Sequence, residues 1–416
     1  MNAARTLKYR LKTILRGLGV EIRKHEPQFD PRCVTLEPTG QPKGWVLLSY
    51  ILDPFLLRPG EPVSTAHTHD AESVLIARTF QQLGYGVDVI DFRNGEFLPT
   101  RRYAFFVSAR THLETIAARL NHDCIKIAHL DTAHFLFNNA AAYARALALQ
   151  RRRGFTSASI RVVEHNLAVE HCDYAAVLGG DFCMDTYRYA GKPMFRLPVP
   201  TSRTYALDPT KNYDQCRNRF LWLGSSGLVH KGLDLTLEAF AQTPDLHLSV
   251  CGRLDWERHF VQLYHAELHE TPNIRAVGWV DVDGSRFLDI ANNTLAVVFP
   301  SCAESESCSV LTCMQAGLIP VVPREAGIDV QDFGVLLPDA SVDSIRNAVE
   351  SLARTPGPAL QAMSLKAWEY AREHHTAEKY TQAYERMIKR ILEAREAAAN
   401  SPGFESPATG RGETIV

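Results

Sequence analysis

The sequence predicts an α/β protein with two doubly wound, Rossmann-like domains that face each other across a cleft. Two successive series of apolar, strand-like runs alternate with helical runs, and a stretch with prolines and turn formers separates them. The length of 416 residues is sufficient for two domains of ordinary size. Because strands that alternate with helices form parallel sheets, and such sheets bind ligands at the carboxyl ends of their strands, we expect the functional site in the cleft.

The first series covers residues 40–200. Its opening strand is the apolar run Trp45–Tyr50, and a helix over residues 69–84, with a glycine at its end, follows. The remaining predicted elements are strands at 87–90, 104–107, 125–129 and 174–178, a helix at 113–120, and a long helix that ends at 151–154. This alternation of strands and helices predicts a doubly wound first domain.

Residues 201–218 read as an interdomain linker, and residues 219–360 form the second domain. The predicted elements of this domain are strands at 220–223, 246–251, 274–277, 295–299 and 319–322, and helices at 233–241, 256–266, 286–292, 310–316 and 342–353. Residues 361–396 contain two further helices, the second of them capped by Thr376. Residues 397–416 have little to bury, and we expect them to be disordered.

The composition argues against nucleic acid as a partner. The 45 lysine and arginine residues nearly balance the 47 aspartate and glutamate residues, so the molecule has no overall field that would hold phosphates.

The nine cysteines show no CxxC spacing, and several lie in apolar runs, which favours a reducing compartment. No apolar run reaches the ~18 residues that span a bilayer. We therefore expect a cytoplasmic protein.

Residues 1–30 contain a predicted basic amphipathic helix. Between residues 5 and 24, seven lysines and arginines face one acidic residue, Glu21, and leucines and isoleucines repeat at helical spacing. Such a helix can lie on anionic lipid at the inner face of a membrane, or it can pack on the fold with a solvated basic face. Both interpretations stay open.

A glycine-rich loop follows the first strand of the second domain. Gly224 and Ser225 begin this loop, and Lys231 and Gly232 end it just ahead of a helix. Backbone amides that glycines expose, the positive end of a helix and an ammonium group together suit a diphosphate. A simple turn is the alternative.

A second segment, residues 299–322, also places small residues between a strand and a helix. The strand ends at Pro300, an apolar helix starts near Ser309, and Gly317 ends it. The small residues let a ligand approach the amides at the start of the helix, while Glu304 can accept hydrogen bonds from ligand hydroxyls.

These two segments resemble the donor-binding half of the retaining GT-B glycosyltransferases often called family 4. The glycine loop with its Lys-Gly pair matches residues 224–232, and the Glu-x7-Glu element of the family matches Glu304 to Thr312. The layout agrees over residues 40–395, although motif similarity is confined to about 220–330. The resemblance implies the GT-B architecture and sugar transfer, with retention, from a nucleotide-diphosphate sugar to a cell-surface polysaccharide or glycolipid precursor. It implies no metal or other cofactor.

The resemblance also implies roles for individual residues of the second domain. Lys231 contacts the donor diphosphate, and Glu304 contacts hydroxyls of the transferred sugar. The other residues that the resemblance or their position assigns to the donor are Gly224, Ser225, Ser307, Cys308 and Ser309 for the diphosphate, and Arg253 and Thr312 for the nucleotide. Two positions depart from the family pattern, because Ser225 stands where an arginine is common and Thr312 where a second glutamate grips the ribose. Arg253 also fits an ordinary surface arginine, and Glu306 is a possible substitute for a missing contact.

The first domain offers His134 as a catalytic residue. It is the nearest match to the family histidine that faces the donor sugar at a strand end, with His129 and Asp131 behind it. The polar loop with His67, His69 and Asp70 suits either an acceptor or a metal, and we favour the acceptor because enzymes of this fold stabilise the leaving diphosphate without a metal.

The segment 281–283 matches the DxD motif of metal-dependent sugar transferases, yet its place in a Rossmann-like half favours a polar loop.

The mechanism we expect is donor binding to the second domain, closure of the cleft and attack by an acceptor hydroxyl from the side of the first domain. The alternatives are a sugar-phosphate synthase or epimerase on the same fold, and a non-catalytic homologue that binds nucleotide sugar or acts as a scaffold in polysaccharide assembly.

Overall fold

The first domain is built on a seven-stranded sheet. The computed structural model describes residues 29–64 and 68–400, with side chains to residue 397. The strands are β1 (Cys33–Leu36), β2 (Trp45–Tyr50), β3 (Gly86–Asp91), β4 (Phe105–Ala109), β5 (Ile125–Leu130), β6 (Tyr174–Leu178) and β7 (Met194–Leu197). Their order in the sheet is β1-β3-β2-β4-β5-β6-β7, and all neighbours are parallel except β1, which runs antiparallel to β3. The central strands are mainly apolar and almost fully buried because helices cover both faces.

Helices follow the strands of this sheet as the sequence predicts. They are α1 (Thr68–Gln82), α2 (Leu113–Ala117), α3 (Phe135–Arg153), α4 (Ala168–His171) and α5 (Asp181–Tyr187), with short 3-10 turns at Asp53–Leu56 and Arg188–Ala190. The long helix α3 ends at Gly154, whose left-handed backbone suits a glycine and accounts for the predicted end of the helix.

The second domain is built on a six-stranded, fully parallel sheet. Its strands are β8 (Arg219–Gly224), β9 (His247–Gly252), β10 (Ile274–Gly278), β11 (Ala296–Val298), β12 (Ile319–Pro323) and β13 (Val335–Leu337), in the order β10-β9-β8-β11-β12-β13. Its helices are α6 (Tyr213–Cys216), α7 (Leu233–Ala241), α8 (Arg258–Leu263), α9 (His265–His269), α10 (Ser285–Asn292), α11 (Cys308–Gln315) and α12 (Val342–Arg354), with 3-10 turns at Leu254–Trp256 and Arg324–Ala326. The predicted class of two doubly wound domains is confirmed.

The predicted linker, residues 201–218, is packed against the second domain along much of its length. Tyr205 and Tyr213 are buried, and so is Lys211. The ammonium group of Lys211 donates to the carbonyl oxygens of Ala291 at 3.1 Å and Gly317 at 3.4 Å. Burial lowers the pKa of this lysine to about 8. These contacts therefore fix the conformation of the linker against the second domain.

The last two helices belong to different domains. Helix α13 (Gly357–His374) packs on α11 of the second domain, whereas α14 (Ala377–Asn400) packs on α1 of the first. Thr376 caps α14 as predicted, since its hydroxyl accepts from the amide of Lys379 at 3.3 Å. On the inner face of α14, the ring of Tyr384 lies 6.2 Å from that of Phe80.

Some expectations differ from the structure or fall outside it. The helix predicted at 256–266 is broken into a 3-10 turn and two short helices, with Tyr264 at the break. Helix α14 continues past residue 397 to Asn400. The predicted basic helix at residues 5–24 and the rest of the predicted disordered tail lie outside the described residues. No helix in the described part of the chain is long and apolar enough to cross a membrane.

Tyr384 provides a test of how far α14 stabilises the first domain. The residue is fully buried, and its hydroxyl has no hydrogen-bond partner among the described residues. We expect Tyr384→Ala to lower the free energy of unfolding by about 3–5 kcal/mol, through lost burial and the resulting cavity. Tyr384→Phe serves as the matched control and should be neutral or slightly stabilising, because it removes a buried hydroxyl without a partner. Urea unfolding measures both, and equal losses would contradict this packing role.

Candidate active site in the interdomain cleft

A cleft of about 740 Å³ lies between the carboxyl ends of the two parallel sheets, within the size range of small-molecule sites. The second domain contributes the loops that follow β8, β9, β10 and β11. The first domain contributes residues after β2, β4 and β5, together with Arg161 from the segment between α3 and α4. The site therefore forms where the topology predicts it.

Lys231 is fixed at the start of α7 by the glycine that follows it. Gly232 has a left-handed backbone with φ of +73°, and a Cβ there would lie 2.3 Å from the carbonyl oxygen of Pro300. The ammonium group of Lys231 donates to Oε1 of Glu304 at 2.9 Å. Burial lowers the pKa of Lys231, and Glu304 opposes the shift. The two predicted donor-binding side chains thus meet in one wall of the cleft.

Glu304 is held as a carboxylate by its neighbours. Besides Lys231, the hydroxyl of Ser301 donates to its Oε1 at 3.1 Å, and a guanidinium nitrogen of Arg161 lies 3.5 Å from the same oxygen. Burial acts to raise the pKa of Glu304, but Lys231 and Arg161 outweigh it and lower the pKa to about 2. This carboxylate can accept hydrogen bonds at any physiological pH.

The start of α11 also faces the cleft. Ser307, Cys308 and Ser309 line it, and Thr312 lines it one turn later. The loop ahead of the helix is packed tightly, because a Cβ on Gly327 would lie 2.0 Å from the carbonyl oxygen of Ser305. The positive end of the α11 dipole is thereby directed at the space beside Lys231 and Glu304.

The glycine-rich loop differs in one respect from the expected phosphate cradle. The carboxylate of Glu257 accepts hydrogen bonds from the backbone amides of Gly227 and Leu228, the latter at 3.1 Å. Those two amides are therefore already bonded within the protein. Gly224 and Ser225, at the beginning of the loop, line the cleft as expected.

Arg253 lies at the end of the cleft formed by the loops after β9 and β10. Its guanidinium carbon is 4.2 Å from the ring centre of Trp279 and 4.9 Å from that of Trp256. Arg253 and Trp279 both line the cleft, and Trp279 remains 39% exposed. This position offers a flat aromatic and cationic surface, which suits a planar ring.

The DxD segment is a polar turn, as the sequence favours. Oδ1 of Asp281 accepts from the amide of Asp283 at 3.0 Å, and the carboxylate of Asp283 pairs with Arg203 at 2.6 Å. No group of three or more side chains suited to a metal ion occurs in the described part of the chain. His67 of the polar loop lies outside that part.

His134 does not line the cleft, contrary to the expectation for a catalytic residue. Its Nδ1 accepts from the amide of Leu136 at 3.3 Å, so the side chain caps its own helix, α3. Its Nε2 lies 3.0 Å from the hydroxyl of Tyr189, and burial lowers the pKa of the imidazole. A residue with these contacts supports the fold of the first domain.

Among the described residues, the histidine that lines the cleft is His69, at the start of α1. Its Nδ1 lies 3.1 Å from Oε2 of the fully buried Glu72, and the hydroxyl of Tyr50 lies 2.7 Å from both groups. Asp131 approaches Nδ1 to 3.8 Å and is itself bonded to Arg110 at 2.9 Å. A carboxylate that holds one ring nitrogen leaves the other available to a ligand.

A second cavity of about 320 Å³ adjoins the cleft on the side of the first domain. Four residues line both spaces and form the boundary between them: His69, Arg110, Asp131 and Arg161. Other walls of the second cavity include Phe92, Arg93, Val162, Val163, Phe135 and Tyr187, so apolar faces and charged groups are combined.

The sequence identified the second-domain side of this site better than the first-domain side. Nine predicted residues line the cleft: Gly224, Ser225, Lys231, Arg253, Glu304, Ser307, Cys308, Ser309 and Thr312. Glu306 lines it too, although its carboxylate accepts from the amide of Val199 at 2.9 Å and is therefore occupied in the fold. Arg110, Arg161 and the pairing of His69 with Glu72 were not predicted, and only the strand-end positions of Arg110 and Asp131 could have indicated part of this set.

Comparisons with known proteins agree with this architecture. Residues 217–355 match a family model described as glycosyl transferases group 1. No curated protein sequence matches the chain. Similar solved structures include sucrose-phosphate synthase from Thermosynechococcus elongatus, with 14% identity over 86% of this chain and 100% of that chain and a TM-score of 0.59. An α,α-trehalose 6-phosphate synthase from Burkholderia multivorans has 8% identity over 88% and 100%, with a TM-score of 0.56.

The Anabaena protein HepE, solved in complex with UDP and glucose, has 12% identity over 84% of this chain and 100% of that chain, with a TM-score of 0.52. At such identities these structures show the fold alone, which is GT-B. The family match adds that the second domain, which carries Lys231 and Glu304, is similar to the group 1 glycosyl transferases.

The charged groups around His69 predict the direction in which the pKa of its imidazole is shifted. Burial lowers the pKa of this imidazole, but Glu72, with a smaller contribution from Asp131, outweighs burial and Arg110 and raises it above the usual 6.5. We expect histidine-selective NMR to show His69 titrating above 6.5, and Glu72→Gln to lower its pKa, because the substitution removes the negative charge at 3.1 Å. His134, whose pKa burial lowers, serves as the internal control and should not change. A His69 pKa that is insensitive to Glu72→Gln would contradict the pairing.

Proposed function

We propose that the protein is a glycosyltransferase that transfers a sugar from a nucleotide-diphosphate sugar to an acceptor hydroxyl. The observation that carries the proposal is the meeting of Lys231, Glu304 and the start of α11 in one wall of the cleft. An ammonium group and the positive end of a helix stabilise a departing diphosphate, and a carboxylate beside them binds sugar hydroxyls. The same wall lies within residues 217–355, which match the glycosyl transferase family model.

The nucleotide is proposed to extend from this wall toward Arg253 and Trp279. Stacking on the exposed face of Trp279 would hold the base, and Thr312, one turn into α11, would bond the ribose with its hydroxyl. A hydroxyl is a weaker acceptor than the glutamate common at that position in the resembling family, so we expect moderate nucleotide affinity.

The acceptor is proposed to occupy the 320 Å³ cavity of the first domain, with its reactive hydroxyl beside His69. His69 stands on the boundary between this cavity and the donor cleft, and Glu72 fixes its ring. An imidazole held in this way can orient the hydroxyl through a hydrogen bond. We propose a polysaccharide or glycolipid precursor as the acceptor class, with transfer that retains configuration and needs no metal ion, in the cytoplasm.

The first test of this function is nucleotide binding. We expect one of UDP, GDP, CMP or ADP to raise the melting temperature of the protein, with and without EDTA, because a ligand that binds the folded state stabilises it by mass action. Lys231→Ala should weaken that nucleotide roughly 10- to 100-fold, the range for loss of a hydrogen bond to a charged group. Lys389→Ala, on the exposed face of α14, is the matched control.

Two results of that screen would redirect the proposal. A shift that EDTA abolishes would point to a metal-dependent transferase. Binding without turnover of the corresponding nucleotide sugar, across an acceptor panel of glycans, sugar phosphates and glycolipids, would favour a non-catalytic binding protein. A well-folded protein that binds none of the nucleotides would remove the glycosyltransferase assignment.

Substitution of His69 and of His134 gives a second test, which distinguishes a catalytic role from a structural one in the first domain. We expect His69→Ala to reduce sugar transfer about 100-fold, the range for misplacement of a reacting group, while nucleotide affinity stays within about threefold. His134→Ala should leave kcat nearly unchanged and cost about 1 kcal/mol of stability, because it removes a helix cap. Release of nucleoside diphosphate, measured with and without acceptor, checks both. The reverse pattern would return the catalytic role to His134.

A further inference from the structure

We infer that Arg161 of the first domain binds the donor diphosphate opposite Lys231 and supplies the second cation that Ser225 does not. The inference rests on the proposed nucleotide-sugar donor. It identifies a phosphate-binding residue in a different domain from the phosphate lysine, so the diphosphate would bridge the two halves of the molecule.

The position of Arg161 supports this role. The residue lies in the segment between α3 and α4, and it lines both the cleft and the second cavity. Its side chain crosses to the second domain, where its Cδ lies 3.1 Å from the place that a Cβ on Gly227 would occupy. Its guanidinium nitrogen Nη1 is 3.5 Å from the oxygen of Glu304 that Lys231 contacts at 2.9 Å. The two cations therefore converge on one point.

Other arginines that line the cleft have closer partners than Arg161. Arg110 is bonded to Asp131 at 2.9 Å, and Arg203 is paired with Asp283 at 2.6 Å. Arg253 lies between two indole rings. Among the described residues, Arg161 makes one long contact with a carboxylate, and its side chain is 41% exposed. Since a guanidinium carries five N–H donors in one plane, Arg161 retains the donors that phosphate oxygens require.

The glycine loop explains why a second cation is needed from elsewhere. Glu257 already accepts from the amides of Gly227 and Leu228, so part of the loop is not available to phosphate. Ser225 lines the cleft at the loop start but carries no charge. A diphosphate that faced Lys231 alone would keep much of its charge uncompensated, whereas Arg161 reaches the same loop at Gly227 from the first domain.

The experiment measures nucleotide binding by titration calorimetry. The probes are UDP, GDP and ADP, and the monophosphate of whichever nucleoside binds the wild-type protein. We expect Arg161→Ala to weaken the diphosphate roughly 10- to 100-fold and the monophosphate less than about threefold, because the bridging contact is made to the diphosphate. Arg151→Ala is the matched control, since Arg151 is an exposed arginine at the end of α3 that does not line the cleft.

A rescue variant separates phosphate binding from a structural role. Arg161→Ala combined with Ser225→Arg restores a cation to the start of the glycine loop, and we expect it to recover at least about tenfold of the lost diphosphate affinity. A residue that only supported the loop would not be replaced by an arginine in the other domain. Circular dichroism checks that each variant is folded, and Arg161→Gln replaces the alanine variant if that one is not.

The outcomes distinguish this inference from the function on which it rests. Diphosphate affinity that is unchanged in Arg161→Ala and in Arg161→Gln overturns the role of Arg161 and leaves the glycosyltransferase assignment in place. Equal losses for monophosphate and diphosphate, without rescue by Ser225→Arg, overturn it as well, because they indicate a structural effect. Failure of the folded wild-type protein to bind any of the three diphosphates overturns both.

Discussion

The buried carboxylate of Glu306 ties the segment that crosses between the two domains to one wall of the cleft. The chain crosses between the domains at Val199–Thr201 and again at His375, and Glu306 accepts from the amide of Val199 at 2.9 Å. The two crossings are tied to each other, since the amide and hydroxyl of Thr201 donate to the carbonyl oxygen of His375 at 3.1 Å and 2.7 Å. Burial raises the pKa of Glu306, and His375 opposes that shift. Because Glu306 belongs to the loop before α11, the crossing and one wall of the cleft are a single packed unit.

A second set of contacts joins the two domains through helix α3. Arg152, at the end of α3, bonds the fully buried Asp234 of α7 at 2.6 Å, and Arg145 donates to the carbonyl oxygen of Pro300 at 3.1 Å. An unpaired carboxylate at such a site would be costly, so this pairing stabilises the close approach of the domains. Arg161 lies in the segment that leads from α3 to α4, so contacts that hold the end of α3 against the second domain also bring this segment near the loops that carry Lys231 and Glu304.

Sequence patterns predicted the site residues that lie within one strand-loop-helix segment, but not the contacts between residues that are distant in the sequence. Lys231 and Glu304 each belong to a contiguous segment in which the sequence predicts a strand, a loop and a helix, and both residues line the cleft. The strands β1, β7 and β13 went unpredicted because each has only three or four residues and none is a buried central strand. His69 at the start of α1 and Arg161 in the segment between α3 and α4 are far apart in the sequence, so only the fold brings them to the same cavity. His134 lies outside the cleft and its imidazole caps its own helix, a local role that sequence spacing does not distinguish from a catalytic one.

The charges of the cleft give Glu304 a role beyond sugar binding on the proposed mechanism. Lys231 and Arg161 both contact one oxygen of this carboxylate, which compensates the cost of burying the ammonium group of Lys231. A donor diphosphate brings its own negative charge to the same two cations. Competition for them would then release the oxygen of Glu304 from its ion pairs and leave it available to the hydroxyls of the sugar. A single carboxylate would thus balance the two cations and, once the diphosphate takes over that role, recognise the sugar, with the hydroxyl of Ser301 as a further donor to it at 3.1 Å.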